Sequence, residues 1–144
     1  ENETITKSVF TKEYIRDILI TAIEGGSNWV LFDTKHLPIE LQKDPHKPLS
    51  IKITSTILDY HKRIPVYDYE SSDEDYTNTH RDLEELGYDK LGYLGIDDIL
   101  DAINILKRNP KYASVYDRII NDTYDADDAD IFLQLAVMGR IVFG

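Results

Sequence analysis

The sequence predicts a single α+β domain over residues 1–144, with helices packed on a small antiparallel or mixed sheet. Three observations carry that expectation. Apolar residues recur at helical spacing in separate stretches around 15–23, 96–106 and 131–138, with polar residues between them. Short alternating or aromatic runs at 27–33, 66–70 and 90–94 have the length of strands. No repeat, heptad array or linker divides the chain, so both kinds of element must share one core.

Ser8 or Thr11 caps the first helix, which runs to Ile23. Ile15, Ile18, Leu19, Ala22 and Ile23 form its apolar stripe, and Lys12, Glu13, Arg16 and Asp17 face water. Gly25-Gly26 is expected to end it in left-handed backbone. Ser27 to Asp33, with Asn-Trp-Val-Leu-Phe inside it, reads as a strand buried on both faces. Pro38, Pro45 and Pro48 make Lys43 to Leu49 a surface loop. Ile51 and Ile53 alternate with Lys52 and Thr54, which predicts a strand over Leu49 to Thr56, followed by helical turns within Ser55 to Arg63. Pro65 stops any helix, and Val66 to Glu70 alternates as an antiparallel strand with one polar face.

Ser71 to Asn78 is a loop with the like-charge run Asp73-Glu74-Asp75, and 71–88 as a whole reads as an acidic insert or mobile excursion. Thr79 caps a short helix to Leu86 that Gly87 ends, and Lys90 to Leu94 forms a strand closed by Gly95. Ile96, Ile99, Leu100, Ile103 and Leu106 line a helix with Asp97 and Asp98 in its first turn and Lys107 and Arg108 in its last, as the helix dipole favours. Asn109-Pro110 breaks it, and a shorter helix follows over Tyr112 to Ile120. The last helix begins at Asp125 to Asp127 and runs to Gly139, and Arg140 to Phe143 is expected as a terminal strand.

Composition excludes several functions. Lys and Arg number 16 against 27 Asp and Glu, a net charge of −11, which works against binding nucleic acid directly through its phosphates. Lys35 to Arg63 is the only stretch with cations enough for a basic face. The absence of cysteine removes disulfides, thiolate metal sites and cysteine nucleophiles. No apolar run approaches the roughly 18 residues that a membrane span needs. Glu1-Asn2-Glu3 is unlike a signal peptide, and the lack of an initiator Met implies that a segment was trimmed.

No catalytic residue, metal ligand or cofactor is assigned. His36, His46, His61 and His80 are too far apart to pair on one helical face, and the nucleotide-loop and nucleophile-elbow motifs are missing. His61 with Asp59 and Asp68 could form an acid–base pair only through the fold, against the simpler reading of a solvated histidine. Asp125 to Asp130 has the acid density of a calcium loop without its glycine, and Ala136 stands where the loop needs glutamate. A looser divalent site from Asp122, Asp125 and Asp127 competes with helix capping for the same acids.

Two candidate sites remain. Glu24, Asn28 and Trp29, beside glycines that let backbone approach a ligand, offer an acid, an amide and a stacking face. Asp68, Glu70, Asp130 and Gln134 join them if the fold brings the two ends together; a glycine-terminated helix and a core tryptophan explain the same residues. The second is a protein-binding surface of Asp73, Glu74, Asp75 and Tyr76, in a chain of ten tyrosines.

Ala22-Ile23-Glu24-Gly25-Gly26-Ser27-Asn28-Trp29 and the ending from Asp125 to Gly144 resemble a family of small phage and mobile-element proteins. In that family a helix ends in Glu-Gly-Gly before an aromatic strand, and the chain closes with an Ala-Asp helix running into a Phe-Gly and Val-Tyr-Gly-like end. Val66 to Glu70 and Leu94-Gly95-Ile96 also fit its pattern, while Met138 and Arg140 stand where relatives often have Phe and an acid. The resemblance implies a phage or prophage setting in the bacterial host cytoplasm, and no chemistry. The leading expectation is a non-enzymatic accessory protein that binds a host or phage protein through an acidic, tyrosine-rich surface, as a nucleic-acid mimic would. The alternatives are a small-molecule or divalent-metal enzyme or sensor, and a self-assembling module that forms a homodimer through its terminal strand and helix.

Overall fold

A computed structural model describes residues 9–77 and 81–144. The expectations placed on Ser8, Asn78, Thr79 and His80 lie outside the described residues.

Helix α1 spans Lys12–Thr21, and the Thr11 hydroxyl caps it by accepting from the Tyr14 N–H. It does not end in a left-handed glycine. It widens into a π-helical turn over Ala22–Gly26, closed by the Ser27 N–H on the Ala22 carbonyl. Neither Gly25 nor Gly26 has positive φ. Gly26 serves close approach, since a Cβ there would lie 2.4 Å from the Ala126 carbonyl oxygen.

Strand β1 is Val30–Phe32, shorter than the aromatic run that announces it. Pro38 and Pro48 stand at the starts of helix α2 (Ile39–Gln42) and helix α3 (Leu49–Leu58), with loop between them. The strand expected over Leu49 to Thr56 is therefore a helix. Ile53, Thr54, Ile57 and Leu58 form its buried face, at a spacing the alternation of Ile51 and Ile53 conceals. The Thr54 and Thr56 hydroxyls donate to the carbonyls of Ser50 and Lys52 at 3.0 and 2.7 Å, so their polar groups are satisfied inside the helix. Helical turns stop short of Arg63, because the chain leaves α3 at Asp59 and turns at His61, whose φ is 57°.

Strands β2 (Ile64–Asp68) and β3 (Lys90–Leu94) complete an antiparallel sheet ordered β1-β2-β3. Pro65 lies inside β2, but pairing with β1 stops at Val66, opposite Phe32. Residues 81–87 form successive turns rather than a short helix, with Gly87 at φ 90°. Helices α4 (Ile96–Arg108), α5 (Ala113–Ile120) and α6 (Ala126–Met138) follow as the periodicity predicts. Asp125 and Asp128 each accept the other's backbone N–H, a reciprocal cap on α6, and Gly139 ends it in left-handed backbone at φ 74°. The terminal strand is not formed: Arg140 to Phe143 pairs with no strand among the described residues.

The architecture is α+β, and α6 is its centre. It packs against α1, the π-turn, β3 and α4, and buries Phe132, Leu133, Gln134 and Leu135. Contact with the sheet is backbone-close, since a Cβ on Gly92 would lie 2.1 Å from the Val137 carbonyl oxygen. Phe32, Ile64, Val66 and Leu94 meet the helices on this face. Leu31 and Tyr67 point to the other face, where Leu83, Leu86 and Tyr88 cover them in a second, smaller core. The acidic segment is tied to that cover. The Ser72 hydroxyl donates to the Leu86 carbonyl at 2.6 Å, the Asp89 N–H to Ser71 Oγ at 2.9 Å, and the Tyr88 hydroxyl to the Glu74 carbonyl at 2.5 Å.

Candidate functional site

The π-turn and α6 bring part of the first candidate site together. Ser27 Oγ and Trp29 Nε1 both donate to Asp130 Oδ1, at 2.6 and 2.7 Å. One turn along α6, Gln134 Nε2 donates to Asp130 Oδ2 at 2.8 Å and to the Phe143 carbonyl at 3.0 Å. Gln134 Oε1 accepts from the N–H groups of Val142 and Phe143, each at 2.9 Å. The Trp29 ring stacks on Phe143, centroids 5.2 Å apart and planes inclined by 13°. Gln134 is 0% exposed and its amide is fully engaged. This network fastens the C-terminal tail in place of strand pairing.

The other candidates point elsewhere. The Glu24 carboxylate accepts from the Ser50 hydroxyl at the start of α3, and Asn28 is exposed. Asp68 Oδ1 accepts the Glu70 N–H at 3.0 Å in a local turn, which leaves Glu70 exposed. Asp59 is held by Lys12 and Arg16 and forms no pair with His61. Asp125 is engaged in the cap of α6, and among the described residues no three His, Asp or Glu side chains converge as a metal site would need.

Beside this network lies a cleft of about 410 Å³. It is lined by residues 30–34 of β1 and its exit, together with Ile23, Ser27, Leu49, Tyr69, Tyr76 and Leu83. Of the large apolar side chains that stay exposed, Leu49, Tyr69 and Tyr76 all border it. Tyr69, Tyr76 and Tyr88 form an edge-to-face row with centroid spacings of 6.1 Å. Burial, and then the neighbouring Tyr69, raise the hydroxyl pKa of both Tyr76 and Tyr88.

Asp73, Glu74 and Asp75 are exposed next to that row. The Thr77 hydroxyl and N–H donate to Asp75 at 2.6 and 2.8 Å and hold its carboxyl below the usual range. Within the cleft, Asp33 is only 6% exposed. Its Oδ1 accepts the Lys35 N–H at 3.1 Å, and its Oδ2 has no hydrogen-bond partner among the described residues, with His36 Nε2 3.9 Å away. Asp33 and Leu49 were not singled out from the sequence. Asp33 carries a signal only in hindsight, as an acid directly after an aromatic strand.

A second cleft of about 320 Å³ shares Asp33 and continues past Tyr67 to Lys90 and Tyr93. Its cations are already matched. Lys90 donates to the Tyr93 hydroxyl and pairs with Glu84, both at 2.9 Å, and these contacts raise its pKa; Arg63 makes a two-pronged pair with Asp98. Among the described residues no helix is long and apolar enough to cross a membrane. No family model, curated protein or solved structure matches the chain.

Proposed function

We propose that this chain is a non-enzymatic binding protein that engages a basic protein through the acidic, tyrosine-bearing face around Asp73, Glu74, Asp75 and Tyr76. One observation carries the proposal. The Tyr69–Tyr76–Tyr88 row stands beside three exposed carboxylates on a segment fastened to the sheet, so aromatic area and negative charge are offered together with little left to order on binding. The net charge of −11 attracts a cationic partner, as the phosphates of nucleic acid would. The resemblance of the chain's two end segments to small phage and mobile-element proteins supports a setting in the bacterial host cytoplasm.

The test is affinity capture with wild type, Asp73/Glu74/Asp75→Ala and Tyr69/Tyr76→Ala, read by mass spectrometry at low and moderate salt. A partner retained by wild type and lost from both variants is expected. Equal capture by all three, or capture that is indifferent to salt, would refute the proposal, because exposed charge is screened over about 10 Å at 0.1 M.

A second reading, a small-molecule site in the same cleft, is favoured by its volume and by the buried, unpartnered oxygen of Asp33, one of its lining residues. A metabolite panel that leaves the melting temperature unchanged would remove it.

A further inference from the structure

Among the described residues the sheet ends in two edge strands, β1 and β3, neither of which has a strand on its outer side, and the edge along β1 borders a cleft. The Tyr69 N–H donates to the Trp29 carbonyl at 2.8 Å, so residues 29 and 69 are a hydrogen-bonded pair. The register then makes Leu31 and Tyr67 the next such pair, and the N–H and C=O groups of Val30 and Phe32 point away from β2. Among the described residues no strand pairs with β1 on that side. Residues 30–34, at this edge and its exit, line the cleft. Natural folds shield such edges with charge, proline or a covering element. Here Leu31 and Phe32 are buried, and Ile23, Leu49 and Tyr69 line the cleft beside them.

Charge selects the occupant. The Asp33 carboxylate at the end of β1 is more than nine-tenths buried and its Oδ2 is unpartnered among the described residues. His36 Nε2 lies 3.9 Å from that oxygen, outside hydrogen-bond reach, and the cations that line the cleft are committed: Lys35 pairs with Asp82 at 3.6 Å, and Arg81 with Glu85 at 3.7 Å. A second copy of this chain would set −11 against −11. A basic chain would meet attraction and supply the missing donor.

We propose that the free edge of β1 takes an extended segment of a basic partner protein as a fourth strand, with a Lys or Arg of that segment bonded to Asp33. Backbone groups of the segment exchange hydrogen bonds with Val30 and Phe32. Its alternate side chains meet Leu31, Tyr69 and Leu83 on one face, and Ile23 and Leu49 on the other. This inference rests on the proposed binding function and specifies where and in what conformation the partner docks.

The experiment titrates isotope-labelled protein with synthetic peptides of about nine residues, alternating Val and Thr around a central Lys, Arg, norleucine or Glu. The Lys and Arg peptides are expected to bind at least about tenfold more tightly than the norleucine peptide, and the Glu peptide least. Amide exchange at Val30 and Phe32 should slow on binding, while Leu31, already bonded to β2, should not change. Val30→Pro removes one outward N–H that the β1–β2 ladder does not use, and should abolish binding. Asp33→Asn, which retains the side chain's shape, should make the Lys and norleucine peptides equivalent, and it keeps the test valid if Val30→Pro does not fold.

Peptide binding that leaves exchange at Val30 and Phe32 unchanged would overturn the inference, as would failure of every peptide to bind at about millimolar concentration. Self-association that protects both amides without peptide would overturn it too. A captured partner lost from Tyr69/Tyr76→Ala but kept by Val30→Pro and Asp33→Asn would refute this docking mode and leave the binding function standing.

Discussion

Trp29 Nε1 donates to Asp130 Oδ1 across 2.7 Å, joining residues 101 positions apart through one carboxylate that also holds Ser27 and Gln134. Such a carboxylate cannot be removed without leaving donors stranded. Trp29 and Ser27 are both buried, and an orphaned buried donor costs about 1–3 kcal/mol. Asp130→Ala is therefore expected to lose about 2–4 kcal/mol in urea denaturation, and Asp130→Asn less, since it keeps one acceptor oxygen. Equal stability of Asp130→Ala and wild type would show that the network does not hold the fold together.

Gly92 and Gly25 make a matched pair. A Cβ on Gly92 meets the Val137 carbonyl oxygen at 2.1 Å, a backbone atom that cannot turn aside, whereas a Cβ on Gly25 meets nothing within 4 Å. Gly92→Ala should cost about 1–3 kcal/mol through displacement of α6 from β3. Gly25→Ala should stay within about 0.5 kcal/mol. Thermal denaturation of the two variants in parallel separates close packing from any general need for glycine.

Acid stability should depend on Asp128. Burial raises its carboxyl pKa, but Arg118 at 2.8 and 2.9 Å and the Asp125 N–H outweigh burial and hold it below its ordinary 3.8. A carboxyl lowered in the folded state contributes fully above the unfolded value and loses that contribution as pH falls through the folded one. Asp128→Asn should cost about 2 kcal/mol at pH 7 and respond less steeply than wild type to acidification below about pH 4. Chemical denaturation at pH 7, 4 and 2.5 reads both effects.

Alkaline stability should depend on Tyr14. Burial, followed by Asp122, pushes its hydroxyl from 10.0 up to about 12, and that hydroxyl donates to the Ile119 carbonyl. The folded state keeps the proton that the unfolded chain releases from pH 10 upward, so stability falls between about pH 10 and 12. Tyr14→Phe should lose about 1 kcal/mol at neutral pH and show a shallower alkaline decline. Absorbance at 295 nm would show the wild-type hydroxyl titrating late.

What the sequence displayed and what it concealed follow from how local each cause is. Thr11, Gly139 and the apolar stripe of α4 act within a turn or two, and they were legible. The helix α3 was not, because Ile51 and Ile53 fit either period until the Thr54 and Thr56 hydroxyls turn back on their own helix. The role of Gly26 is set by Ala126, far away in the chain, so the glycine pair looked like an ordinary helix stop. Trp29, Asp130 and Gln134 could be named as candidates, yet their meeting depends on how the π-turn crosses α6. Glu24 and Asp68 were drawn off by nearer partners, Ser50 and the Glu70 N–H. Asp33 and the open edge of β1 are products of strand order, which no local pattern reveals.

The central place of α6 has a consequence for the chain cut in two. Severed within the exposed acidic segment, the molecule would yield one piece bearing α1, β1, α3 and β2 and another bearing β3 and α4 to α6. Each would display half of a shared interior: Ile18, Leu19 and Val66 on the first, Leu94, Phe132 and Leu133 on the second. Bonds such as Ser27 to Asp130 and Tyr14 to Ile119 run between the pieces and not within them. Neither fragment closes its own core, so the two should acquire structure only by reassociating, as complementary halves of a single cooperative unit.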